Sequence, residues 1–287
     1  MATSIKIGVI GAGTMGAGIA QVSVQSGFDT LLYDISQEFI DKGLNRIKGF
    51  IQRSREKGKI SADEEKQILA RLNGTLKFED FQGADLIVEA APERLDLKRE
   101  TFKNLDTICG PDTLLASNTS SLSVTAIAAA TKNPERVLGM HFFNPPPLMA
   151  LVEVIQGEQT STATMEKAID LVRRMGKTPV RVKDTPGFIV NRVARPFYNE
   201  SLRILSEGQV SVEAIDRIMK EAGGFRMGPF ELMDLIGIDI NFAATESLYQ
   251  SFFHDPRFAP SPIQRQKVQA GQLGRKTGRG FYTYGKK

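Results

Sequence analysis

The stretch IKIGVIGAGTMGAGIA, from Ile5 to Ala20, decides the fold of this chain. Its first six residues form an apolar run that predicts a buried strand. Gly11, Gly13 and Gly16 follow at the spacing G-x-G-x-x-G, and a helical pattern begins at once after them. In this context the first glycine permits a tight turn, the second lets the backbone approach a pyrophosphate, and the third lets the helix pack closely on the sheet. The stretch predicts a dinucleotide-binding unit.

The residues that follow the turn indicate which dinucleotide binds there. Thr14 and Met15 begin the helix, whose free N–H groups and positive dipole end attract phosphates. A second apolar run, Phe28 to Tyr33, leads into Asp34, which lies 18 residues after Gly16. An acidic side chain near this position hydrogen-bonds the adenosine ribose and repels a 2′-phosphate, so the sequence favours NAD as cofactor over NADP. The alternative is an aspartate that only caps the strand end or the next helix.

One of the two histidines of the chain, His141, lies in an apolar run from Val137 to Phe143. Glu153 lies in the next apolar run, from Leu151 to Ile155. If the two runs are neighbouring strands, the carboxylate can fix the imidazole tautomer and stabilise the imidazolium. Imidazole is well matched to proton transfer near neutral pH. The alternative is a core histidine that happens to be satisfied by an acid.

Strand and helix patterns alternate from Ile5 to about Val182, and this alternation predicts an α/β fold with a Rossmann-type, doubly wound, mostly parallel sheet. Within it, a capping box at Ser61 begins a helix that we expect to end near Gly74, followed by a strand over 75–78. From Pro186 onward only helical spacing remains. We therefore expect a NAD-binding domain over residues 1–185 and an all-helical domain over residues 186–287. The helical domain would serve the substrate cleft and dimerisation, although packing on the first domain explains the same apolar pattern.

The composition excludes several other classes of protein. The 287 residues are 41% hydrophobic and 24% charged, with a net charge of +4, which is typical of a globular protein. A single cysteine, Cys109, excludes an intramolecular disulfide and a cysteine zinc cluster, and no metal site is expected. No basic patch interleaved with aromatic residues points to nucleic acid. No apolar run is long enough to span a membrane, and the first strand begins at Ile5, so we expect no membrane association, no targeting peptide and a cytoplasmic location.

Seven motifs, in this order, resemble those of the 3-hydroxyacyl-CoA dehydrogenases, most closely the short, single-function bacterial 3-hydroxybutyryl-CoA dehydrogenases. The resemblance spans nearly the whole chain, from Ile5 to Tyr282, and its motifs are GAGTMGAGIA with Asp34, VEAAPERLDLK, ASNTSSL, HFFNPPPLMALVEVI, KDTPGFIVNR, GPFELMDLIG and GRKTGRGFY. The resemblance implies a homodimer that uses NAD to interconvert an L-3-hydroxyacyl-CoA, such as (S)-3-hydroxybutyryl-CoA, and the 3-ketoacyl-CoA, such as acetoacetyl-CoA.

The resemblance also implies roles for four residues in catalysis. His141 matches the catalytic base and Glu153 its acidic partner. Ser120 matches a hydroxyl that contacts both substrate and nicotinamide, and Asn191 matches a residue that hydrogen-bonds the substrate oxygen. Without the resemblance, Ser120 would be interpreted as a helix cap and Asn191 as a polar residue inside a helix.

Further residues are expected to bind the cofactor. Glu93, Lys98 and Lys276 match cofactor contacts of the family. Asn118 and Asn144 lie at strand ends, where an open sheet presents ligand-binding groups. Alternatively, Glu93 and Lys98 form an ordinary exposed helix pair, and Lys276 is a solvated charge near the C-terminus.

The segment from Gln37 to Lys59 carries seven basic and three acidic residues. Basic side chains would attract the 3′-phosphate and pyrophosphate of CoA. Arg53 and Lys57 are the best candidates because they lie at i and i+4 on one helical face, and Lys57 matches a CoA contact of the family. Phe50 is a departure, since it stands where the family often has a serine that touches CoA. The alternative is a solvated helix face.

Three other functions remain open at this point. One is a related dehydrogenase of a free hydroxy acid or sugar acid, which would need no CoA groove. Another is a non-catalytic NAD-binding or redox-sensing protein. The third is a structural subunit of a larger oxidation complex.

Overall fold

The computed structural model describes residues 4–285, and its central feature is one sheet of eight strands. The strands are β1 (Lys6–Ile10), β2 (Asp29–Tyr33), β3 (Leu72–Thr75), β4 (Leu86–Glu89), β5 (Leu114–Ser117), β6 (Val137–Phe142), β7 (Leu151–Gln156) and β8 (Thr178–Lys183). Their order is β3-β2-β1-β4-β5-β6-β7-β8. All neighbours pair in parallel except β6 and β7, which are antiparallel. The order reverses between β1 and β4, the kind of switch point at which open α/β sheets bind ligands.

Helices cover both faces of the sheet. They are α1 (Thr14–Gln25), α2 (Gln37–Glu56), α3 (Ala62–Ala70), α4 (Leu95–Ile108), α5 (Val124–Ala128) and α6 (Thr162–Arg174). Alternate strand residues enter two different hydrophobic clusters. Leu86 and Val88 of β4 join Ile19 of α1 in one cluster, whereas Ile87 joins Phe102 of α4 in the other. Two buried faces explain why these strands are continuously apolar, and they confirm the predicted doubly wound sheet.

The prediction for the segment after α3 was wrong. The helix ends at Ala70, and the edge strand β3 covers Leu72–Thr75 instead of 75–78. Phe78, the expected end of that strand, begins a 3-10 turn over Phe78–Phe81. Gly74 was interpreted as a helix end. Instead it lies in the strand, where a Cβ would come within 2.5 Å of Cγ2 of Ile40 on α2, so this position requires a glycine.

The described residues from Val190 onward are mainly helical, as predicted. Their helices are α7 (Val190–Ser206), α8 (Val212–Glu221), α9 (Pro229–Ile236), α10 (Ile238–Ser251) and α11 (Pro262–Gln269). They enclose a hydrophobic cluster that includes Tyr198, Leu202 and Phe230. Asp234 of α9 accepts hydrogen bonds from the backbone N–H groups of Phe281 and Tyr282, which fixes the C-terminal segment on this cluster.

Backbone contacts divide the chain into two units, Met1–Thr185 and Pro186–Lys287. The first contains the sheet and the second contains α7 to α11. None of the helices within residues 4–285 has the length and apolar character needed to span a bilayer.

Candidate active site

The glycine turn between β1 and α1 has the backbone geometry that a pyrophosphate site requires. Gly11 adopts a φ of 98°, which disfavours any residue with a side chain, and its N–H donates to the carbonyl of Tyr33 at 2.8 Å. A Cβ on Gly16 would lie 1.7 Å from the carbonyl oxygen of Gly11, whereas a Cβ on Gly13 would meet no atom within 4 Å. The turn is therefore closed on the sheet side and open at Gly13, beside the first N–H groups of α1.

Asp34 lies at the end of β2, next to this turn. One of its carboxylate oxygens accepts from the backbone N–H of Ala12 at 2.6 Å, and the other accepts from the N–H of Ile35 at 2.7 Å. The carboxylate is half-buried and keeps lone pairs that a ribose hydroxyl could use. Asp34 does not cap α2, because the Ser36 side chain accepts from the N–H of Phe39. The open turn and this carboxylate fit the pyrophosphate and adenosine ribose of NAD.

His141 and Glu153 occupy directly opposed positions on the antiparallel strands β6 and β7. Nδ1 of His141 lies 2.7 Å from Oε2 of Glu153, and both side chains are buried. An ionised carboxylate only accepts hydrogen bonds, so a neutral imidazole in this contact would donate from Nδ1. The two neighbouring strands thus bring the two side chains into contact, as the sequence predicts.

The loop that follows β5 lies beside the His141 strand. Asn118 accepts from the backbone N–H of Phe142 through its side-chain oxygen at 2.8 Å, which joins the loop to β6. Ser120 is exposed two residues further on. It does not cap α5, because the Ser123 side chain accepts from the N–H of Ala126.

A buried ionic network lies behind this loop, and one of its members, Glu89, escaped the sequence reasoning. Lys98 on α4 is 1% exposed and its ammonium lies 2.7 Å from Oε1 of Glu89, which is fully buried at the end of β4. Ser117 donates to the other oxygen of Glu89 at 2.7 Å, and the N–H of Ala91 donates to Oε1 at 2.7 Å. The interpretation of Lys98 as part of an exposed helix pair is therefore wrong.

Glu93 links the network to the Ser120 loop. Its Oε2 lies 3.4 Å from the Lys98 ammonium, while its Oε1 accepts from the Thr119 hydroxyl at 2.6 Å and from the N–H groups of Ser120 and Ser121 at 3.0 Å. Partial burial alone would raise the pKa of the Glu93 carboxyl. The hydrogen bond from Thr119, the charge of Lys98 and the remaining donors together hold this pKa below its usual range. Glu93 thus holds the backbone of the loop that contains Ser120.

A cavity of about 670 Å³ lies in the first unit, lined by α1, by α2 and its C-terminal end, and by the turn that follows β6. Asn144 is part of this turn and lines the cavity. Among the described residues that line it there is no aspartate or glutamate, and four are basic: Arg46, Arg53, Lys57 and Lys59.

The basic residues of α2 do not all face this cavity. Arg55 instead forms an ion pair with Glu65 of α3 at 2.8 Å, and Lys42 pairs with Glu38 one helical turn away. Arg53 and Lys57 both line the cavity, as does Phe50. The local charge excess that the sequence shows is thus concentrated on one wall of a defined pocket.

The turn between β6 and β7 forms the opposite wall of the cavity. The Lys177 ammonium donates to the carbonyl of Pro146 at 2.7 Å and to that of Met149 at 2.9 Å, and burial lowers the pKa of this lysine. On the other side, Pro146 packs so closely on α1 that a Cβ at Gly18 would lie 2.7 Å from its ring. Sequence reasoning missed both contacts.

The remaining two expected site residues lie in the second unit. Asn191 is in the first turn of α7, where its carbonyl accepts from Arg195 at 3.3 Å. Lys276 pairs with Asp239 at 2.6 Å. Its side chain is partly exposed in this pair, and its contact with the cofactor stays a prediction.

Comparison with known protein families identifies the family of both units. Residues 6–185 match the sequence profile described as 3-hydroxyacyl-CoA dehydrogenase, NAD binding domain. Residues 187–284 match the profile described as 3-hydroxyacyl-CoA dehydrogenase, C-terminal domain. Together the two profiles cover nearly all of the chain.

Individual relatives are similar over the same length. The chain is 48% identical over 278 residues to 3-hydroxyadipyl-CoA dehydrogenase of Escherichia coli K12, covering 97% of this chain but 58% of that protein. It is 47% identical over 280 residues to a probable 3-hydroxybutyryl-CoA dehydrogenase of Deinococcus radiodurans, covering 98% of this chain and all of that protein. The crystal structure of (S)-3-hydroxybutyryl-CoA dehydrogenase from Ralstonia eutropha matches with a TM-score of 0.95 at 43% identity, over 99% of this chain and 100% of that one. The chain therefore belongs to the 3-hydroxyacyl-CoA dehydrogenase family and is an NAD-dependent oxidoreductase of that family.

Proposed function

We propose that this protein interconverts (S)-3-hydroxybutyryl-CoA and acetoacetyl-CoA, with NAD as the redox cofactor. The observation that carries the proposal is the buried His141–Glu153 pair, 2.7 Å apart, in a sheet whose first glycine turn fits NAD. Relatives of similar length carry the name 3-hydroxybutyryl-CoA dehydrogenase, which supports the short acyl chain. A free hydroxy acid carries no CoA phosphates, so a substrate of that kind would not account for the basic cavity beside α2.

The chain itself supplies the proton chemistry. Bound NAD would supply the hydride acceptor in one direction and, as NADH, the hydride donor in the other. Nε2 of His141 takes the proton of the 3-hydroxyl group, and Glu153 stabilises the imidazolium that forms. In the reverse direction the protonated His141 returns that proton to the developing alkoxide. We assign Ser120 and Asn191 to the reacting oxygen, on the strength of the family motifs that they match.

The cavity beside α2 is the site that we propose for the CoA phosphates. Arg53 and Lys57 line it without a described carboxylate among the lining residues, so their charge is available to an anion. Lys59 and Arg46 extend the same wall. A phosphate placed here would make charge-assisted hydrogen bonds, which are stronger than neutral ones.

Turnover of acetoacetyl-CoA with NADH, followed by the loss of NADH absorbance, tests the proposal. His141→Gln should lower kcat by about 10²- to 10⁴-fold, the usual worth of a general acid–base group, while NADH still binds. Glu153→Gln should also be slow because the imidazolium loses its counter-charge. If the double variant is no slower than the single ones, the pair acts as one unit.

Two results would contradict the proposal. If His141→Gln keeps a near-normal kcat, His141 is not the general base. If the wild type reduces free acetoacetate as well as it reduces acetoacetyl-CoA, the basic cavity is not a CoA site. His254 is the other histidine of the chain and lies in the second unit, so His254→Gln serves as the matched control.

We also propose that residues 186–287 form the substrate-facing and dimerising domain of a cytoplasmic homodimer. Large apolar side chains on this unit, including Val193, Ile240 and Phe253, are exposed, as expected of a surface that another chain covers. Light scattering coupled to gel filtration should give twice the mass of the chain, and a monomer at micromolar concentration would contradict this part of the proposal.

A further inference from the structure

The exposed aromatic ring in the basic cavity has no role in the chemistry described so far. Phe50 is 45% exposed although it lines the cavity between α1 and α2. Arg53, one helical turn further along α2, places its guanidinium 4.5 Å from the centre of the Phe50 ring. The Phe50 ring is therefore accessible inside a concave, positively charged site. A flat ligand group can stack on such a ring.

We propose that Phe50 and Arg53 form the stacking platform for the adenine of CoA. This inference rests on the proposed function, because it takes CoA as the ligand of the cavity. Adenine is the one aromatic group in CoA, and nucleic-acid bases stack on aromatic rings and on arginine planes in protein sites. The cations Lys57 and Lys59, later on the same segment, line the same cavity. They are the partners that the phosphates next to this base require.

The charge pattern of the cavity favours the adenine over the pantetheine arm. Pantetheine is uncharged and needs amide partners, whereas the adenosine end carries the 3′-phosphate and adjoins the pyrophosphate. Phe50 lies between Arg46 and Arg53 in the sequence, and all three line the cavity. The serine that the family resemblance leads us to expect at position 50 would donate a hydrogen bond. The phenyl ring gives this chain a stacking contact in its place.

Truncated substrates separate the two possible contacts. Acetoacetyl-pantetheine keeps the thioester and the pantetheine arm but lacks the adenosine and its phosphates. Phe50→Ala should raise the KM for acetoacetyl-CoA by about 5- to 100-fold, the range expected for the loss of one base stack. It should leave the KM for acetoacetyl-pantetheine at the wild-type value. Phe50→Trp, which offers a larger ring, should keep the wild-type KM for acetoacetyl-CoA.

A matched control lies on the same helix. Phe39 is 44% exposed but does not line the cavity, so Phe39→Ala removes an equally exposed phenyl ring from α2 and should change neither KM. An equal rise in both KM values for Phe50→Ala would place the ring against pantetheine and overturn the proposal. An unchanged KM for acetoacetyl-CoA would place the adenine elsewhere and overturn it too.

A binding measurement keeps this test independent of turnover. Adenosine 3′,5′-bisphosphate carries the adenine and the 3′-phosphate of CoA, and its Kd can be measured by calorimetry even if the protein reduces no acyl-CoA. Phe50→Ala should weaken its binding by the same factor of about 5 to 100, and Phe39→Ala should not. If the wild type binds this probe and Phe50 makes no difference, the platform is wrong. If Phe50→Ala weakens binding of this probe but the wild type does not reduce acetoacetyl-CoA, the stacking proposal stands and only the proposed function fails.

Discussion

Replacement of Lys98 by methionine tests the buried network beneath the proposed active site. Methionine has a similar volume and an unbranched stem, so the change removes the charge and little of the packing. The ammonium it removes lies 2.7 Å from Glu89 and 3.4 Å from Glu93. Glu89 is fully buried and would keep two donors, the Ser117 hydroxyl and the N–H of Ala91.

The size of the effect follows from that geometry. Removal of one partner of a buried ion pair costs about 3–5 kcal/mol because the other charge stays buried without compensation. The two donors that remain on Glu89 place Lys98→Met at the lower end, about 3 kcal/mol. For a unit of this size, such a loss lowers the Tm by about 6–12 °C.

Thermal unfolding at pH 7, followed by circular dichroism and calorimetry on the full chain, measures this loss. Lys103 is an exposed lysine on the same helix, so Lys103→Met is the control and should leave the Tm within about 2 °C. The double variant Glu89→Gln with Lys98→Met removes both charges and should regain most of the lost stability. A Lys98→Met variant as stable as Lys103→Met would contradict the expected cost of an unpaired Glu89. A double variant no more stable than Lys98→Met would contradict it too.

Three further outcomes are expected. Asp34→Ala should narrow the preference for NADH over NADPH by roughly tenfold, equivalent to a lost repulsion of about 1.4 kcal/mol; a wild type that uses both cofactors equally would contradict this. Replacement of Arg53 and Lys57 by alanine should raise the KM for acetoacetyl-CoA by roughly tenfold and flatten its salt dependence, while an unchanged KM would place the CoA phosphates elsewhere. The lowered pKa of Glu93 means that its carboxylate stabilises the fold above about pH 4.5 and that this stabilisation is lost as the pH falls through the lowered pKa. The Tm advantage of the wild type over Glu93→Gln should therefore shrink between pH 6 and pH 3, and an advantage that grows on acidification would be inconsistent with this assignment.

The sequence predicts the sheet well because each strand has its own apolar run between turn signals. It fails at β3, where Gly74 has two possible meanings. Glycine after a helical pattern usually ends the helix, but here it allows an edge strand to approach Ile40 on α2. That approach depends on packing between distant segments, which the local pattern of residues does not contain.

Glu89 shows a different limit. It occurs inside the apolar run before Pro92, where an acidic residue looks like a strand end turned toward solvent. Its burial depends on Lys98, which reaches it from the next helix. The available signal was an acid at the carboxyl end of a strand adjoining the glycine turn, followed by a lysine on the next predicted helix. Such a pair can be recognised from the sequence only if the burial of both partners is considered together.

The pairing of His141 with Glu153 depends on strand register, which is the property a sequence defines least. A slip of one residue would turn one of the two side chains to the other face of the sheet. The connecting turn is fixed from both sides, since Lys177 donates to the carbonyl of Pro146 and Gly18 leaves room for the Pro146 ring. The same turn forms a wall of the basic cavity. One short piece of backbone therefore sets the register of the proposed proton-transfer pair and also shapes the pocket proposed for CoA, so a displacement of this turn would disturb proton transfer and substrate binding together.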